Sequence, residues 1–101
     1  MSQQPTSKDF AAQLHTIFRV EQPEALDLEL VDVSDQSTSH FEQFSILFHG
    51  PASPWLPQGI YALAHSQMQE VSIFLVPLGP NGGVMRYEAV FSRLMDTAAN
   101  G

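Results

Sequence analysis

The chain has 101 residues, 44% of them hydrophobic and 10% aromatic, which suits one globular domain with a single core and excludes a disordered chain. It contains no cysteine, so a disulfide scaffold, a thiolate metal site and a cysteine nucleophile are all excluded, and a reducing compartment fits. Four Lys and Arg against eleven Asp and Glu give a formal net charge of -7, which repels phosphate backbones and anionic membranes. No basic stripe for nucleic acid can be assembled from Lys8, Arg19, Arg86 and Arg93.

The opening MSQQPTSKDF lacks the charged-then-apolar order of a signal peptide. No apolar run approaches the roughly 18 residues of a membrane helix, and a soluble, cytoplasmic protein is expected. Residues 1–6 are polar, include Pro5 and read as a disordered tail ahead of a single β-domain over 7–95, with a C-terminal tail at 96–101. Ser7 is placed as a helix N-cap, its hydroxyl accepting a free N–H of the first turn. Phe10, Leu14 and Ile17 recur at helical spacing, so a short helix is predicted from about Lys8 to Leu14, plugging one end of a core. From Thr16 to Val20 the chain alternates, with Phe18 and Val20 on one side and Arg19 on the other. Pro23 in QPEA ends that run because it cannot donate to a ladder. In LDLELVDVSD, Leu26, Leu28 and Leu30 alternate with Asp27 and Glu29; then the phase slips, and Val31 and Val33 are apolar about Asp32. A strand that changes its apolar parity contains a bulge or a sharp bend.

DQSTSH is a polar turn. FEQFSILFHG points Phe44, Ile46 and Phe48 one way and Ser45, Leu47 and His49 the other. GIYALAHS puts Tyr61, Leu63 and His65 on one face and Ile60, Ala62 and Ala64 on the other. EVSIFLVPLGP is apolar on both faces from Val71 to Val76 and is placed at the centre of a sheet. GPNGG is a hairpin turn that needs positive φ at Asn81, Gly82 or Gly83. MRYEAVFSRL is the last strand, with Tyr87, Ala89 and Phe91 opposite Glu88 and Val90. No helical pattern alternates with the strands, so parallel βαβ units are excluded. The predicted fold is mainly β, a small antiparallel barrel or compact sandwich of about six strands with one short N-terminal helix.

Residues with chemical potential have plain structural readings beside the functional ones. His15, His40, His49 and His65 lack HxH or HxxxH spacing, and a metal needs about three convergent ligands with support behind them, so no metal and no cofactor is expected. His49 and His65 approach one another if their strands are hairpin neighbours, and either then pairs with an Asp or Glu for acid–base work. The plainer reading packs His65 at a strand end, hydrogen-bonded to a backbone group. Asp27, Glu29, Asp32 and Asp35 lie along one strand, whereas the carboxylates of glycoside hydrolysis face each other across a cleft. They form a solvated acidic face, or a stripe that steers a basic partner. No GxSxG or SxxK accompanies a serine, and GPNGG lacks the lysine and helix of a phosphate loop. Glu88 is within reach of Arg86 and Arg93 for surface ion pairs.

FHGPASPWLPQGIY, residues 48–61, carries Pro51, Pro54 and Pro57 and the only tryptophan, Trp55. Prolines restrict the loop, so Trp55 is held. Exposed, it anchors a protein contact together with Pro54 and Leu56; folded inward, it is a lid that finishes the core, and the lid is the simpler reading. Pro57, Gln58 and Gly59 then form the turn back into the sheet, with Gly59 at positive φ.

The succession LELVDV, FSILFHGP, LPQGIYALAH, IFLVPLGP and RYEAVF resembles DUF6916, a family of small bacterial proteins of unknown function, from about Phe10 to Arg93. The resemblance brings no catalytic residue. It implies a structural or assembly role beside phage-tail-like or appendage proteins. The expected function is therefore a non-enzymatic protein-interaction or assembly module. Trp55, Pro54 and Leu56 dock on a partner, a larger tail-fibre-like protein on the resemblance, and Asp32 and Asp35 steer it. The first alternative is a small-molecule or glycan-binding barrel with Trp55, Tyr61, His65 and His49 lining a mouth at one end; the second is an acid–base enzyme. An unpaired sheet edge invites a homodimer or an added strand from a partner. No nucleic acid or membrane partner is expected.

Overall fold

The computed structural model describes residues 5–94; residues 1–4 of the tail expected at 1–6, the tail expected at 96–101, and the Arg93 side chain lie outside the described residues. Helix α1 (Ser7–Ala11) begins after Thr6, and Thr6 rather than Ser7 is its N-cap. Thr6 Oγ1 accepts from the Asp9 N–H at 3.3 Å, and the Asp9 carboxylate accepts from the Thr6 N–H at 2.9 Å, a reciprocal satisfaction of two otherwise free donors. Ser7 has another task. It is buried, and its hydroxyl donates to the Asp35 carboxylate at 2.5 Å.

The helix stops at Ala11, short of the expected Leu14. Gln13 and Leu14 bond back only three residues, to Phe10 and Ala11, and His15 takes a left-handed φ of 68°. The His15 N–H donates to the Leu30 carbonyl at 2.6 Å, and the Leu30 N–H donates to the Thr16 carbonyl at 3.1 Å. The sheet thus captures the chain before a further helical turn forms.

Six strands follow: β1 (Ile17–Val20), β2 (Leu26–Asp35), β3 (Phe41–Pro51), β4 (Gly59–His65), β5 (Met68–Asn81) and β6 (Val84–Leu94). All neighbours are antiparallel, and the strands close into a barrel in the order β1-β2-β3-β6-β5-β4. The slip of parity in β2 is a bulge, with the register shifting between Leu30 and Asp32. Leu28 and Leu30 face the core before it and Val33 packs against the core after it. The GPNGG segment is a two-residue turn, Asn81 paired with Val84 and Gly82 and Gly83 at φ 62° and 90°. Gly59, expected at positive φ, is not; the residue that needs it is Gly79, φ 106°, where β5 bulges between Pro77 and Gly79.

Two expectations about neighbours are overturned by the strand order. β3 and β4 are not a hairpin; they stand on opposite sides of the ring, so residues 52–58 cross over the end of the barrel. β5 is not a central strand buried on both faces. Ile73 and Leu75 point into the barrel, while Phe74 lies on the outside and is 48% exposed.

The interior is filled by side chains from every strand, among them Phe18, Leu28, Leu30, Phe44, Ile46, Phe48, Leu63, Leu75 and Tyr87. Phe10 of α1 enters from one end, with its ring centroid 6.2 Å from Phe18, 6.0 Å from Phe44 and 5.6 Å from Phe91. The helix therefore plugs the barrel, as its apolar spacing predicts.

Candidate functional site

The crossing segment 52–58 closes the other end, and its sequence divides the work between adjacent residues. Leu56 is the plug, 2% exposed within the core. Its N–H donates to the hydroxyl of Tyr87, a fully buried β6 residue, at 2.8 Å. Burial raises the Tyr87 hydroxyl above its ordinary pKa of 10.0, and the Leu56 N–H pulls in the opposite direction. One turn along, the Tyr61 hydroxyl donates to the Pro57 carbonyl at 2.5 Å. Gly50, at the end of β3, makes the necessary room: a Cβ there would stand 2.6 Å from Leu28 Cδ2 and 3.3 Å from the Tyr87 ring.

Trp55 is left outside. It is 50% exposed, so the lid is Leu56 and not Trp55, and Leu56, expected as part of a docking surface, is instead a core residue. Pro54 is exposed beside Trp55. The result is an aromatic ring facing solvent whose next two residues are hydrogen-bonded to the barrel, Leu56 to Tyr87 of β6 and Pro57 to Tyr61 of β4.

The structure does not bring Trp55, Tyr61, His65 and His49 together at one mouth. Tyr61 is buried under the crossing segment. His49 is on the outer face of β3, opposite Glu29 on one side and Arg86 on the other. His65 is at the other end of the barrel, near α1, with its ring 4.4 Å from that of Phe18. Both of its nitrogens are engaged. Nδ1 accepts from the Gln67 N–H at 2.9 Å, which places the ring proton on Nε2, and Nε2 lies 2.7 Å from Thr16 Oγ1. The Thr16 hydroxyl in turn donates to the Gln13 carbonyl at 2.6 Å. This is the plain reading of His65, packed at a strand end and bonded to backbone.

The acidic residues of β2 also divide. Asp35 holds α1, accepting from Ser7 Oγ and from the Ser37 N–H at 2.8 Å, and these bonds, Ser7 first, draw its pKa below the ordinary 3.8. Asp27 accepts from Arg19 at 2.8 Å across the β1–β2 ladder, with Glu21 3.4 Å from the same guanidinium. Asp32 is exposed on the outer face beyond the bulge. Among the described residues Glu88 makes no ion pair with Arg86, and no group of three or more His, Asp or Glu is arranged to hold a metal ion.

A feature the sequence reading passed over lies on the outside of β4 and β5. Ile60 and Phe74 stand directly opposite one another in the ladder, 71% and 48% exposed. Its signal was present as apolar residues on both faces of these runs, which here mark an uncovered outer surface.

The family model for a domain of unknown function, DUF6916, matches residues 5–91, nearly the whole of the described barrel. The chain belongs to the DUF6916 family. No curated protein and no solved structure matches it. No helix among the described residues is long and apolar enough to cross a membrane.

Proposed function

We propose that this DUF6916 protein is a non-enzymatic interaction module that docks on another protein through Trp55. The observation that carries the reading is the contrast within two adjacent residues: Trp55 is 50% exposed while Leu56 is 2% exposed and tied to Tyr87. A tryptophan presented this way forfeits little freedom on binding, which is what interface anchors share. A filled interior plugged at both ends supports contact at the surface rather than inside. The engaged nitrogens of His65, and the separation of His49 from it across the ring, support a role without acid–base catalysis. A larger partner of the tail-appendage kind is one such protein, on the family resemblance alone.

Affinity purification from native lysate tests this. One dominant partner is expected, and Trp55→Ala weakens its capture by about 2 kcal/mol, roughly thirtyfold in affinity, with the circular dichroism spectrum unchanged. Because Trp55 is the only tryptophan, its emission reports the same contact when the purified partner is titrated in. Capture that is indifferent to Trp55→Ala, with no change in emission, overturns the reading. The half-exposed ring also favours a second one, in which the face of Trp55 stacks on a glycan. A thermal-shift screen separates the two, since a ligand at about 100 times its dissociation constant adds about 2.7 kcal/mol.

A further inference from the structure

We propose that β4 is a self-association edge, at which residues 59–62 of two copies pair as antiparallel strands about a two-fold axis. This goes beyond the Trp55 reading and does not rest on it.

The barrel closes narrowly. β1 pairs with β4 only at Ala64 and Leu63, through Arg19 and Val20. The β4 residues before them, Gly59 to Ala62, have β5 on one side and no ladder partner on the other among the described strands. An edge with free N–H and C=O groups is a template for another strand unless something blocks it.

β5 has a free edge as well, and there the blocking devices are present. Beyond Leu75, β5 pairs with β6 alone, and that stretch contains Pro77, Pro80 and a bulge at Gly79. Proline removes a donor and a bulge twists the edge away from a visitor. β5 before Val76 and β6 after Glu88 also lack a partner on their facing sides among the described strands, and those stretches carry Glu70 and Arg93. The β4 edge, GIYA, has neither proline, bulge nor charge.

The charge distribution favours a second copy over a partner chosen by charge. Six of the eleven acidic residues fall between Glu21 and Asp35, whereas residues 59–81 hold one, Glu70, and no Lys or Arg. The acidic strand β2 stands across the ring from β5. Glu21, which follows β1, is engaged with Arg19 at 3.4 Å. Two molecules of charge -7 therefore meet with least repulsion through the neutral β4–β5 side.

The pleat limits the register. A two-fold axis keeps outward residues outward in both copies, so it passes through a residue and not between two. With the axis on Ile60 or on Tyr61, each Ile60 lies beside an apolar outward residue of its mate, Ile60 or Ala62. That gives the most exposed large apolar side chain of the described structure a neighbour, with Phe74 one strand further in.

Sedimentation of the full chain from about 10 μM to about 1 mM reads the association by mass action. The expected result is a mass rising toward twice that of the chain, more completely at high salt, which screens the repulsion. Ile60→Lys, at a site too exposed to disturb the fold, should return the protein to a monomer, and Trp55→Ala should leave the dimer intact. Amide exchange of residues 59–62 should slow with protein concentration. A monomer at the highest concentration overturns the proposal while leaving the Trp55 reading untouched. A dimer indifferent to Ile60→Lys, or one without protection at 59–62, overturns the assignment to this edge.

Discussion

At the scale of single residues, the crossing segment depends on one phenol. The Tyr87 hydroxyl is the partner of the Leu56 N–H at 2.8 Å inside a plugged barrel, and the ring itself is fully buried. Tyr87→Phe keeps the ring and removes the acceptor, so a buried donor is left without a partner, at a cost of about 1–3 kcal/mol. Urea melts of the two proteins at neutral pH check this, and equal midpoints sink the bond as a contributor. The same group sets a dependence on pH. Its folded-state pKa is raised above 10.0, chiefly by burial, so its contribution is complete below pH 10.0 and is lost as pH rises through the folded value. The wild type should therefore lose stability above pH 10.0 more steeply than Tyr87→Phe does. None of this division of labour between Trp55 and Leu56 is legible in PWLP. Both residues are large and apolar, and only the position of Tyr87 across the barrel decides which of them goes in.

At the scale of elements, α1 is too short to stand alone and is held by bonds at its start. A helix of five residues lies far below the length at which propagation repays nucleation, so the Thr6–Asp9 box and the Ser7–Asp35 bond define it along with the burial of Phe10. Asp35 is exposed, and its pKa is lowered by the Ser7 bond first and by the Ser37 backbone next. A lowered carboxylate contributes above its unfolded value of 3.8 and loses that contribution as pH falls through the folded one. Asp35→Asn should thus be less stable than wild type at neutral pH, with the gap narrowing below pH 3.8 in acid melts. A gap that stays constant across this range would remove Asp35 as the latch. The elements were largely legible in sequence because period-two alternation and the turn residues agree along most of the chain, down to the bulge at Leu30–Asp32. The helix boundaries were not. Thr6 and Ser7 are adjacent hydroxyls, and only the acid three residues after Thr6 tells them apart. Its C-terminus is set by a non-local bond, from His15 to Leu30. The course of the 52–58 crossing was illegible for the same reason, since a short proline-rich link between two strands reads as a hairpin until the ring order is known.

At the scale of the whole molecule, the two plugs are 46 residues apart in sequence, Phe10 and Leu56, but they seal one continuous core. Phe10 packs on Phe18, Phe18 packs edge-on against Phe48 at 5.4 Å, and Phe48 lies two residues from Gly50, where the chain makes room for Leu28 and Tyr87. The β3–β6 and β1–β4 pairs join distant parts of the chain and close the ring around one core, so unfolding should be all-or-none. A domain of about 100 residues has roughly 5–15 kcal/mol to lose. Phe10→Ala empties the centre of an aromatic cluster and should remove about 3–5 kcal/mol of it, which lowers Tm by at least about 12 °C at 4–8 °C per kcal/mol. The decisive measurement is made at the other end of the barrel. Trp55 sits beside the Leu56 plug, far from α1, and as the only tryptophan it reports that end alone. In a single cooperative unit, Phe10→Ala shifts the Trp55 emission midpoint as far as the far-UV circular dichroism midpoint. If emission melts at the wild-type temperature while the spectrum collapses early, the two ends are separate units. The crossing segment would then be a cap held by its own tyrosines rather than the closure of the barrel.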